Sequence, residues 1–237
     1  IGRAIVETFA EAGARVVVSS RKLDACEALV QDIKKQGGDA TAIACNVSSA
    51  DDCVALAEGA LKTYGAVDIF VGNAGVNPKF APLGEIPLDA YQKVVDANIR
   101  GNLVLCQRLL PQMVTRKHGV ILIISSVGGF VGTPGTGVYS MTKAANMSFV
   151  RTLATEYGQY GIRVNSIAPG LIVTDMARMF LENEPFRRKV EARTPLRRVG
   201  QPQEIASIAL CLASDAGSFV TGQTLAVDGG SSISSPS

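Results

Sequence analysis

Two side chains capable of acid–base chemistry lie one helical turn apart in this sequence. Tyr139 and Lys143 occupy positions i and i+4 of a segment with helical periodicity, so they share one helix face. A free tyrosine titrates at about pH 10, and a neighbouring ammonium favours the phenolate and lowers that pKa. Such a tyrosine can exchange a proton with a substrate, although the spacing alone also arises by chance on many helices.

Further polar residues follow two predicted strands. Ser125 and Ser126 end one strand, Pro169-Gly170 end another, and Thr174 lies in the loop beyond. The carboxyl ends of parallel strands form the edge of a sheet where ligands bind. We therefore expect a hydroxyl from this serine pair to lie near the tyrosine.

An asparagine and two small residues follow a third predicted strand. Asn73-Ala74-Gly75 let the backbone approach a flat ligand closely, although such a tripeptide alone is usually only a turn. Asn98 lies inside a predicted helix, Leu88–Lys117, where asparagine is a poor helix former. Taken alone, Asn98 is best interpreted as a solvent-facing residue.

The end of the first predicted strand bears on cofactor choice. In NAD-binding sheets an acidic residue near this point binds the ribose 2′-OH, whereas an arginine there accommodates the 2′-phosphate of NADP. Here Ser20 takes the place of the acid, and Arg21 and Lys22 follow it. Two cations at the start of a helix are unfavourable unless an anion lies nearby. We therefore predict NADP(H) over NAD(H), the alternative being a solvated turn.

Short β-branched runs alternate with longer amphipathic segments, and this alternation predicts the elements that position these residues. The predicted strands are Arg15–Ser19, Ala40–Cys45, Val67–Val71, Val120–Ser125, Arg163–Ala168 and Thr224–Val227. The predicted helices are Arg3–Ala12, Leu23–Gln36, Ala50–Tyr64, Leu88–Lys117, Val138–Tyr157 and Pro202–Ala213. The pattern indicates an α/β fold, a single domain over residues 1–237 with a doubly wound parallel sheet.

Glycines mark the expected helix ends, and one segment lacks a regular pattern. Helix stops are predicted at Gly13, Gly37, Gly65, Gly119 and Gly158. The stretch Pro169–Gln201 is polar and irregular and follows a strand's carboxyl end. We predict that residues 170–201 form a lid over the ligand site.

Composition excludes several classes of function. The 237 residues carry 23 Lys+Arg against 21 Asp+Glu, so nothing favours nucleic acid or a membrane surface as a partner. Five cysteines without a C-x-x-C spacing indicate reduced thiols, and we expect a cytoplasmic protein. His118 is the only histidine, which rules out multi-histidine metal sites, and no Gly-x-Ser-x-Gly elbow supports a hydrolase.

Taken together, the motifs resemble the short-chain dehydrogenase/reductase family over essentially the whole length. Tyr139 and Lys143 frame its Tyr-x-x-x-Lys motif, Ser126 lies thirteen residues before the tyrosine, and Asn98 lies twenty-five after Asn73. The remaining matches are Asn73-Ala74-Gly75, Pro169-Gly170-Leu171-Ile172-Val173-Thr174 and Asp228-Gly229-Gly230.

The resemblance implies a Rossmann-type fold and a four-residue site. Tyr139 would be the acid–base and Ser126 would bind the substrate oxygen. Lys143 would bind the nicotinamide ribose and lower the tyrosine pKa, and Asn98 would kink its helix and hold a relay water. The cofactor-binding residues would be Gly2, Ser20, Arg21, Asn46, Val47, Asn73, Ala74, Gly75, Tyr139, Lys143, Pro169, Gly170, Ile172 and Thr174.

The sequence departs from the family pattern at two points. Asn46 stands where an aspartate usually contacts adenine, and an amide can still bind it. The glycine-rich turn is absent except for Ile1-Gly2, which resemble its last two residues. We expect the natural protein to carry a strand and this turn before Ile1, because the strands Arg15–Ser19 and Val67–Val71 would otherwise keep unpaired edges in the middle of the sheet.

The sequence leaves several substrate classes as alternatives. Val18–Lys22 and Asn73–Pro78 resemble the NADP-dependent carbonyl and retinal reductase branch, so a small carbonyl or alcohol substrate is expected. A 3-oxoacyl-thioester reductase or a sugar or polyol dehydrogenase is the alternative within the family, and a non-catalytic nucleotide sensor is the alternative outside it. Apolar residues on more than one face of two long helices predict a homo-oligomer, and the resemblance implies a tetramer.

Overall fold

The computed structural model describes residues 1–77 and 79–234. Pro78, the last residue of the segment that resembles the carbonyl reductase branch, lies outside them. The strands are β1 Val16–Ser20, β2 Ala40–Ala44, β3 Ile69–Gly72, β4 Gly119–Ile124, β5 Ile162–Pro169 and β6 Thr224–Val227. The helices are α1 Gly2–Glu11, α2 Leu23–Lys35, α3 Ala50–Tyr64, α4 Leu88–Val95, α5 Gly101–Arg116, α6 Gly137–Tyr157, α7 Arg178–Glu182, α8 Glu184–Arg193 and α9 Pro202–Ala213.

All strand pairings are parallel, as predicted. β1 pairs with β2, and a second group runs in the order β3-β4-β5-β6. Within the described residues no strand pairing joins β1 to β3, so their facing edges are unpaired, as expected from the sequence. The predicted α/β fold with a doubly wound parallel sheet is confirmed.

The central strand β4 shows how the sheet is covered on both faces. Every residue from Gly119 to Ile124 is buried, and the side chains alternate between two apolar clusters. Ile121 and Ile123 pack in the cluster that contains α3, α5 and α6, whereas Leu122 and Ile124 pack in the cluster that contains α1 and α9. The period-two alternation of a strand therefore turns one apolar run into two core layers.

The predicted helix ends are partly wrong. Gly13, Gly37 and Gly65 adopt positive φ just after their helices, as predicted. Lys117, at φ 53°, ends α5 instead of Gly119, and Gly158 keeps a helical φ of −57°. Gly119 has another reason to be glycine, because a Cβ there would lie 2.6 Å from the Met113 sulfur.

The predicted single helix Leu88–Lys117 is interrupted. A π-helical turn, Asp96–Arg100, separates α4 from α5. Single π turns inside α-helices occur frequently at functional sites, because they redirect side chains and expose backbone groups. Asn98 lies at the centre of this turn.

The predicted irregular stretch contains regular structure. Helices α7 and α8 occupy much of residues 170–201, so the prediction of a stretch without secondary structure is wrong. Its base is closed by backbone bonds, in which Val173 donates to Gly200 O and Gly200 donates to Leu171 O, each over 3.0 Å. We call residues 170–201 the lid segment.

Candidate active site

One large cleft of about 1740 Å³ opens along the carboxyl ends of β1 to β5. Except for Asn98, every residue predicted for the site lines it: Gly2, Ser20, Arg21, Asn46, Val47, Asn73, Ala74, Gly75, Ser126, Tyr139, Lys143, Pro169, Gly170, Ile172 and Thr174. The cleft also runs between the unpaired edges of β1 and β3, which adds to its volume.

Tyr139 stands in the first turn of α6 and faces the cleft. Burial raises the pKa of its hydroxyl above the ordinary value, and the nearby Ser126 hydroxyl acts in the opposite direction. A phenol with a raised pKa stays protonated at neutral pH, so the Tyr139 hydroxyl carries a proton that it can donate in a hydrogen bond.

Lys143 is only 4% exposed, and its ammonium donates to the backbone oxygen of Ile124 over 2.8 Å. Burial lowers the pKa of Lys143 to about 8. The nitrogen lies 5.4 Å from the centre of the Tyr139 ring. The expected lowering of the tyrosine pKa by this lysine is therefore not seen, because burial of the hydroxyl dominates while the ammonium contacts a carbonyl.

The two serines at the end of β4 have different surroundings. The Ser125 hydroxyl donates to the backbone oxygen of Lys143 over 2.8 Å, so it ties β4 to α6. The Ser126 hydroxyl accepts only a backbone bond from Gly128, over 3.2 Å, and lies beside Tyr139. The Ser125 hydroxyl is thus committed to α6, whereas the Ser126 hydroxyl lies within reach of the Tyr139 hydroxyl and of a ligand in the cleft.

Asn98 is fully buried, so its interpretation as a solvent-facing residue is wrong. Its side-chain oxygen accepts from Val76 N over 2.8 Å, and its amide donates to Val76 O over 3.1 Å and to the Thr142 hydroxyl over 3.0 Å. A Cβ on Gly75 would lie 3.3 Å from the Asn98 side chain and 3.4 Å from Lys143 Nζ. Asn98 thus braces the segment after β3 against α6 from behind the cleft.

Sequence reasoning missed three polar residues that support this bracing. The Thr142 hydroxyl donates to Tyr139 O over 2.7 Å, and the amides of Asn102 and Asn146 both donate to Asn98 O. All three are buried. The signal that could have found them is polar spacing of four residues inside apolar helices, Asn98 with Asn102 and Thr142 with Asn146, because such pairs share a helix face.

At the β1 end of the cleft, the Ser20 side chain already has protein partners, whereas the Arg21 side chain can bind a ligand. The Ser20 hydroxyl is engaged with the backbone of Lys22 and contacts the Cys26 sulfur at 3.1 Å. Arg21 is exposed and makes no ion pair with any residue in the part of the chain that the structure describes. A free guanidinium at the edge of a ligand cleft suits a phosphate.

Residues after β2 form a compact turn. Asn46 N donates to the Asp52 carboxylate over 3.0 Å, and the Asn46 side chain accepts from Ser48 N over 3.2 Å. The bond from Asn46 and the hydroxyl of Ser49 lower the pKa of Asp52. The turn presents Asn46 and Val47 to the cleft, where the resemblance places the adenine.

At the far end, β5 leads into the lid segment. Gly170 leaves no space for a side chain, because a Cβ would lie 2.8 Å from that of Asp228. The Thr174 hydroxyl accepts from Ala177 N over 3.2 Å and fixes the turn after Ile172. Ile172 and Thr174 both face the cleft.

Two features are absent from residues 1–77 and 79–234. No group of three or more potential metal ligands occurs among them. No helix there has the length and apolar character needed to cross a membrane.

The chain is similar to a family model and to known proteins. Residues 1–232 match the family model described as Enoyl-(Acyl carrier protein) reductase. Dehydrogenase/reductase SDR family member 4 of Bos taurus is 36% identical over 231 residues, which cover 98% of this chain and 83% of the relative. The 7alpha-hydroxysteroid dehydrogenase of Escherichia coli (strain K12) is 41% identical over 231 residues, 97% of this chain and 89% of the relative.

Solved structures agree with these matches. A 7 alpha-hydroxysteroid dehydrogenase complexed with NADH and 7-oxo glycochenodeoxycholic acid superimposes with a TM-score of 0.93 at 39% identity, covering 97% of this chain and 89% of that chain. A gluconate 5-dehydrogenase from Burkholderia cenocepacia J2315 in complex with NADP and tartrate gives a TM-score of 0.94 at 31% identity, covering 98% and 91%.

Proposed function

The chain belongs to the short-chain dehydrogenase/reductase family of oxidoreductases, and from this premise we propose that it interconverts a carbonyl compound and an alcohol with NADP(H). The single observation that carries the proposal is the pair of hydroxyls, Tyr139 and Ser126, side by side in the cleft above Lys143. A hydrolase or a sensor has no need of a half-buried phenol beside a serine hydroxyl in the cleft.

The roles that we propose for the site residues are those that the resemblance implies, and the contacts of these residues support them. During reduction, negative charge develops on the substrate oxygen, where Tyr139 donates a proton and Ser126 donates a hydrogen bond. During oxidation Tyr139 accepts the proton. The nicotinamide supplies or takes up the hydride when bound. Lys143 would contact the ribose once its ammonium leaves Ile124 O, and Asn98 keeps the Gly75 segment in place beneath it.

The residues present fit a dinucleotide. Helix α1 begins at Gly2, and its first residues, Gly2 and Arg3, line the cleft, where a helix N-terminus favours a pyrophosphate. Glycine at position 2 also lets α1 pack against the end of β3, because a Cβ there would lie 2.6 Å from the Asn73 amide nitrogen. Arg21 would bind the 2′-phosphate, which supports NADP(H) over NAD(H). The relatives do not decide this, since one solved neighbour holds NADH and another holds NADP.

Three alternatives to a carbonyl reductase remain as candidates. Similarity to a gluconate 5-dehydrogenase favours a sugar or polyol substrate, and the description of the matching family model favours an acyl thioester. A nucleotide sensor would keep the cofactor cleft without turnover, and it is disfavoured because Asn98, Ser126, Tyr139 and Lys143 are all present.

We also propose a homo-oligomer, with a tetramer expected from the resemblance. The apolar residues of the two predicted long helices that suggested it are Val94, Leu103, Leu110, Met147, Phe149 and Leu153. Val94, Leu110, Met147 and Leu153 are buried within the chain itself, so they no longer support an interface. Leu103 on α5 remains 41% exposed, and Phe219 before β6 is fully exposed. These two side chains now carry the proposal, and light scattering at micromolar concentration tests it, a monomer being the contrary result.

The proposed activity is tested by the consumption of NADPH and NADH with a panel of ketones, aldehydes, acyl thioesters and keto-sugars. We expect turnover of at least one carbonyl compound, faster with NADPH. Tight binding of NADPH without turnover of any compound in either direction would favour the sensor.

A further inference from the structure

The side of the lid segment that faces the cleft is apolar. Residues 170–201 are all described, and ten of them line the cleft: Gly170, Leu171, Ile172, Thr174, Met176, Ala177, Met179, Phe180, Phe186 and Val190. Thr174 is the only residue in this set with a polar side chain, and its hydroxyl is already engaged, since it accepts from Ala177 N over 3.2 Å and donates to Ile172 O over 3.4 Å. A substrate hydroxyl that contacts the apolar side chains of this wall would lose its hydrogen bonds with water and gain none from them.

The charged residues of the lid segment lie elsewhere. None of them lines the cleft, and several pair with one another on the outer side: Asp175 with Arg178, Glu184 with Arg188, and Arg187 with Glu191. Charged lining residues come from other parts of the fold: Arg3, Arg15, Arg21, Asp68, Lys93 and Lys143. The lid segment therefore offers a substrate carboxylate no cation.

Three aromatic rings connect the lid to the loop after β3. Phe80 meets Phe180 of α7 edge to face, with ring centres 5.1 Å apart, and Phe180 lies 5.2 Å from Phe186 of α8. All three line the cleft. Such contacts hold the rings as one surface, which we call the aromatic cluster.

The aromatic cluster is fixed to the segment that precedes Tyr139. Ala81 N, one residue after Phe80, donates to Gly135 O over 3.3 Å. A Cβ on Gly137, the first residue of α6, would lie 3.0 Å from the Leu83 side chain, so this loop packs closely on the helix that carries the tyrosine. The cluster and the reacting hydroxyl thus belong to one connected wall.

Much of this apolar surface is open to solvent. Met176 and Met179 are 52% and 58% exposed, and Phe80 and Phe186 are each 40% exposed. Exposed apolar side chains that converge on a cleft are typical of a ligand site, because covering them removes apolar area from water.

From these observations we infer that the substrate carries its carbonyl or alcohol on a bulky apolar body that contacts Phe80, Phe180 and Phe186, and that polyhydroxylated carboxylates are rejected. The inference rests on the proposed oxidoreductase function and names its substrate class. Phe180 is the central specificity-determining residue, since it contacts both other rings.

The test compares kcat/KM of the full chain with NADPH for 1-decalone, cyclohexanone and 5-keto-gluconate. We expect 1-decalone to exceed 5-keto-gluconate by at least about a hundredfold. Phe180→Ala should lower kcat/KM for 1-decalone by about tenfold or more, the loss expected from one buried phenylalanine contact. It should leave cyclohexanone within about threefold and the Kd for NADPH unchanged. Phe180→Leu should restore part of the loss.

Leu88→Ala is the matched control, because Leu88 is 83% exposed at the start of α4 and does not line the cleft. It should leave all three substrates unchanged. A higher kcat/KM for 5-keto-gluconate than for 1-decalone would overturn the inference while upholding the oxidoreductase. A Phe180→Ala variant that lowers all substrates equally would also overturn it. Absence of turnover with any carbonyl compound would instead contradict the proposed function.

Discussion

Asn98 binds both backbone polar groups of Val76: its side-chain oxygen accepts from Val76 N over 2.8 Å and its amide donates to Val76 O over 3.1 Å. A single buried side chain thereby completes the hydrogen bonding of a residue that has left strand β3. The segment that lines the cleft beside Lys143 keeps its position through this pair, without any strand partner.

Asn98→Ala should leave both Val76 groups without their partner. Losing its hydrogen bond costs a buried group about 1–3 kcal/mol, so the two Val76 groups together set an upper range of about 2–6 kcal/mol for the fall in the free energy of unfolding in urea. Val76 is half-buried, so we expect the fall to lie toward the lower end of that range. Turnover should fall as well, since the Gly75 segment loses its brace. Gln92→Ala, which removes an exposed amide that contacts Asp96, is the control and should change stability by less than about 0.5 kcal/mol. If Asn98→Ala lowered the free energy of unfolding no more than Gln92→Ala does, other contacts would have to hold the Gly75 segment in place.

Tyr139→Phe removes only the hydroxyl, so we expect cofactor binding to persist while turnover falls by at least about a hundredfold. Binding is measured by fluorescence titration with NADPH and turnover by its consumption. The direction in which the reduction rate changes with pH provides a second test. Because burial raises the pKa of Tyr139, the phenol needed for reduction persists at neutral pH, and the reduction rate should fall only above about pH 10.

Alcohol oxidation should show the opposite trend, since it needs the phenolate and should become faster as the pH rises toward the pKa of Tyr139. A reduction rate that falls through neutral pH would instead show that Lys143 lowers this pKa once the cofactor is bound, as the sequence predicts. Met141→Ala offers a control for changes in the helix itself, because Met141 lies on α6, is 51% exposed and does not line the cleft.

Arg21→Ala should weaken NADPH far more than NADH. A charge-assisted bond to a phosphate contributes about 1.5–3 kcal/mol, which corresponds to roughly a tenfold to hundredfold rise in the Kd for NADPH. Lys22→Ala is the matched control, because Lys22 adjoins Arg21 but does not line the cleft. Equal losses for both cofactors, or a wild type that binds NADH more tightly, would contradict the preference.

The sequence predicted the sheet well because buried parallel strands need continuous apolar runs. Val120–Ser125 was predicted and Gly119–Ile124 is observed, and Thr224–Val227 agrees at both ends. Helices α3 and α9 also agree, since polar first turns and apolar periodicity mark both. Local patterns are enough to predict an element when its apolar residues all face the core at the period of a strand or a helix.

Residues whose environment depends on distant parts of the chain were harder to predict. Asn98 as a lone residue gave no hint of burial, because its partner Val76 lies 22 positions away. Lys117 adopts the left-handed conformation that was expected of a glycine, and Gly119 is glycine for another reason, its close contact with Met113. The lid helices escaped notice because α8 is mostly charged and carries no buried residue.

Lys143→Met should change the free energy of unfolding by an amount that depends on pH. This dependence measures the penalty of burying the Lys143 ammonium, apart from any role of the residue in catalysis. In the folded chain burial lowers the pKa of Lys143 from 10.5 to about 8, so the unfolded chain binds more protons between these values. Wild-type stability should therefore rise relative to the variant as the pH increases from about 8 to 10.5, and the penalty below pH 8 is at most about 3 kcal/mol. Loss of the bond to Ile124 O offsets part of the variant's gain.

Urea unfolding at pH 7 and pH 10 measures the difference, with Lys62→Met on the outer part of α3 as control. A stability difference between wild type and Lys143→Met that does not change with pH would show that Lys143 keeps its ordinary pKa in the fold.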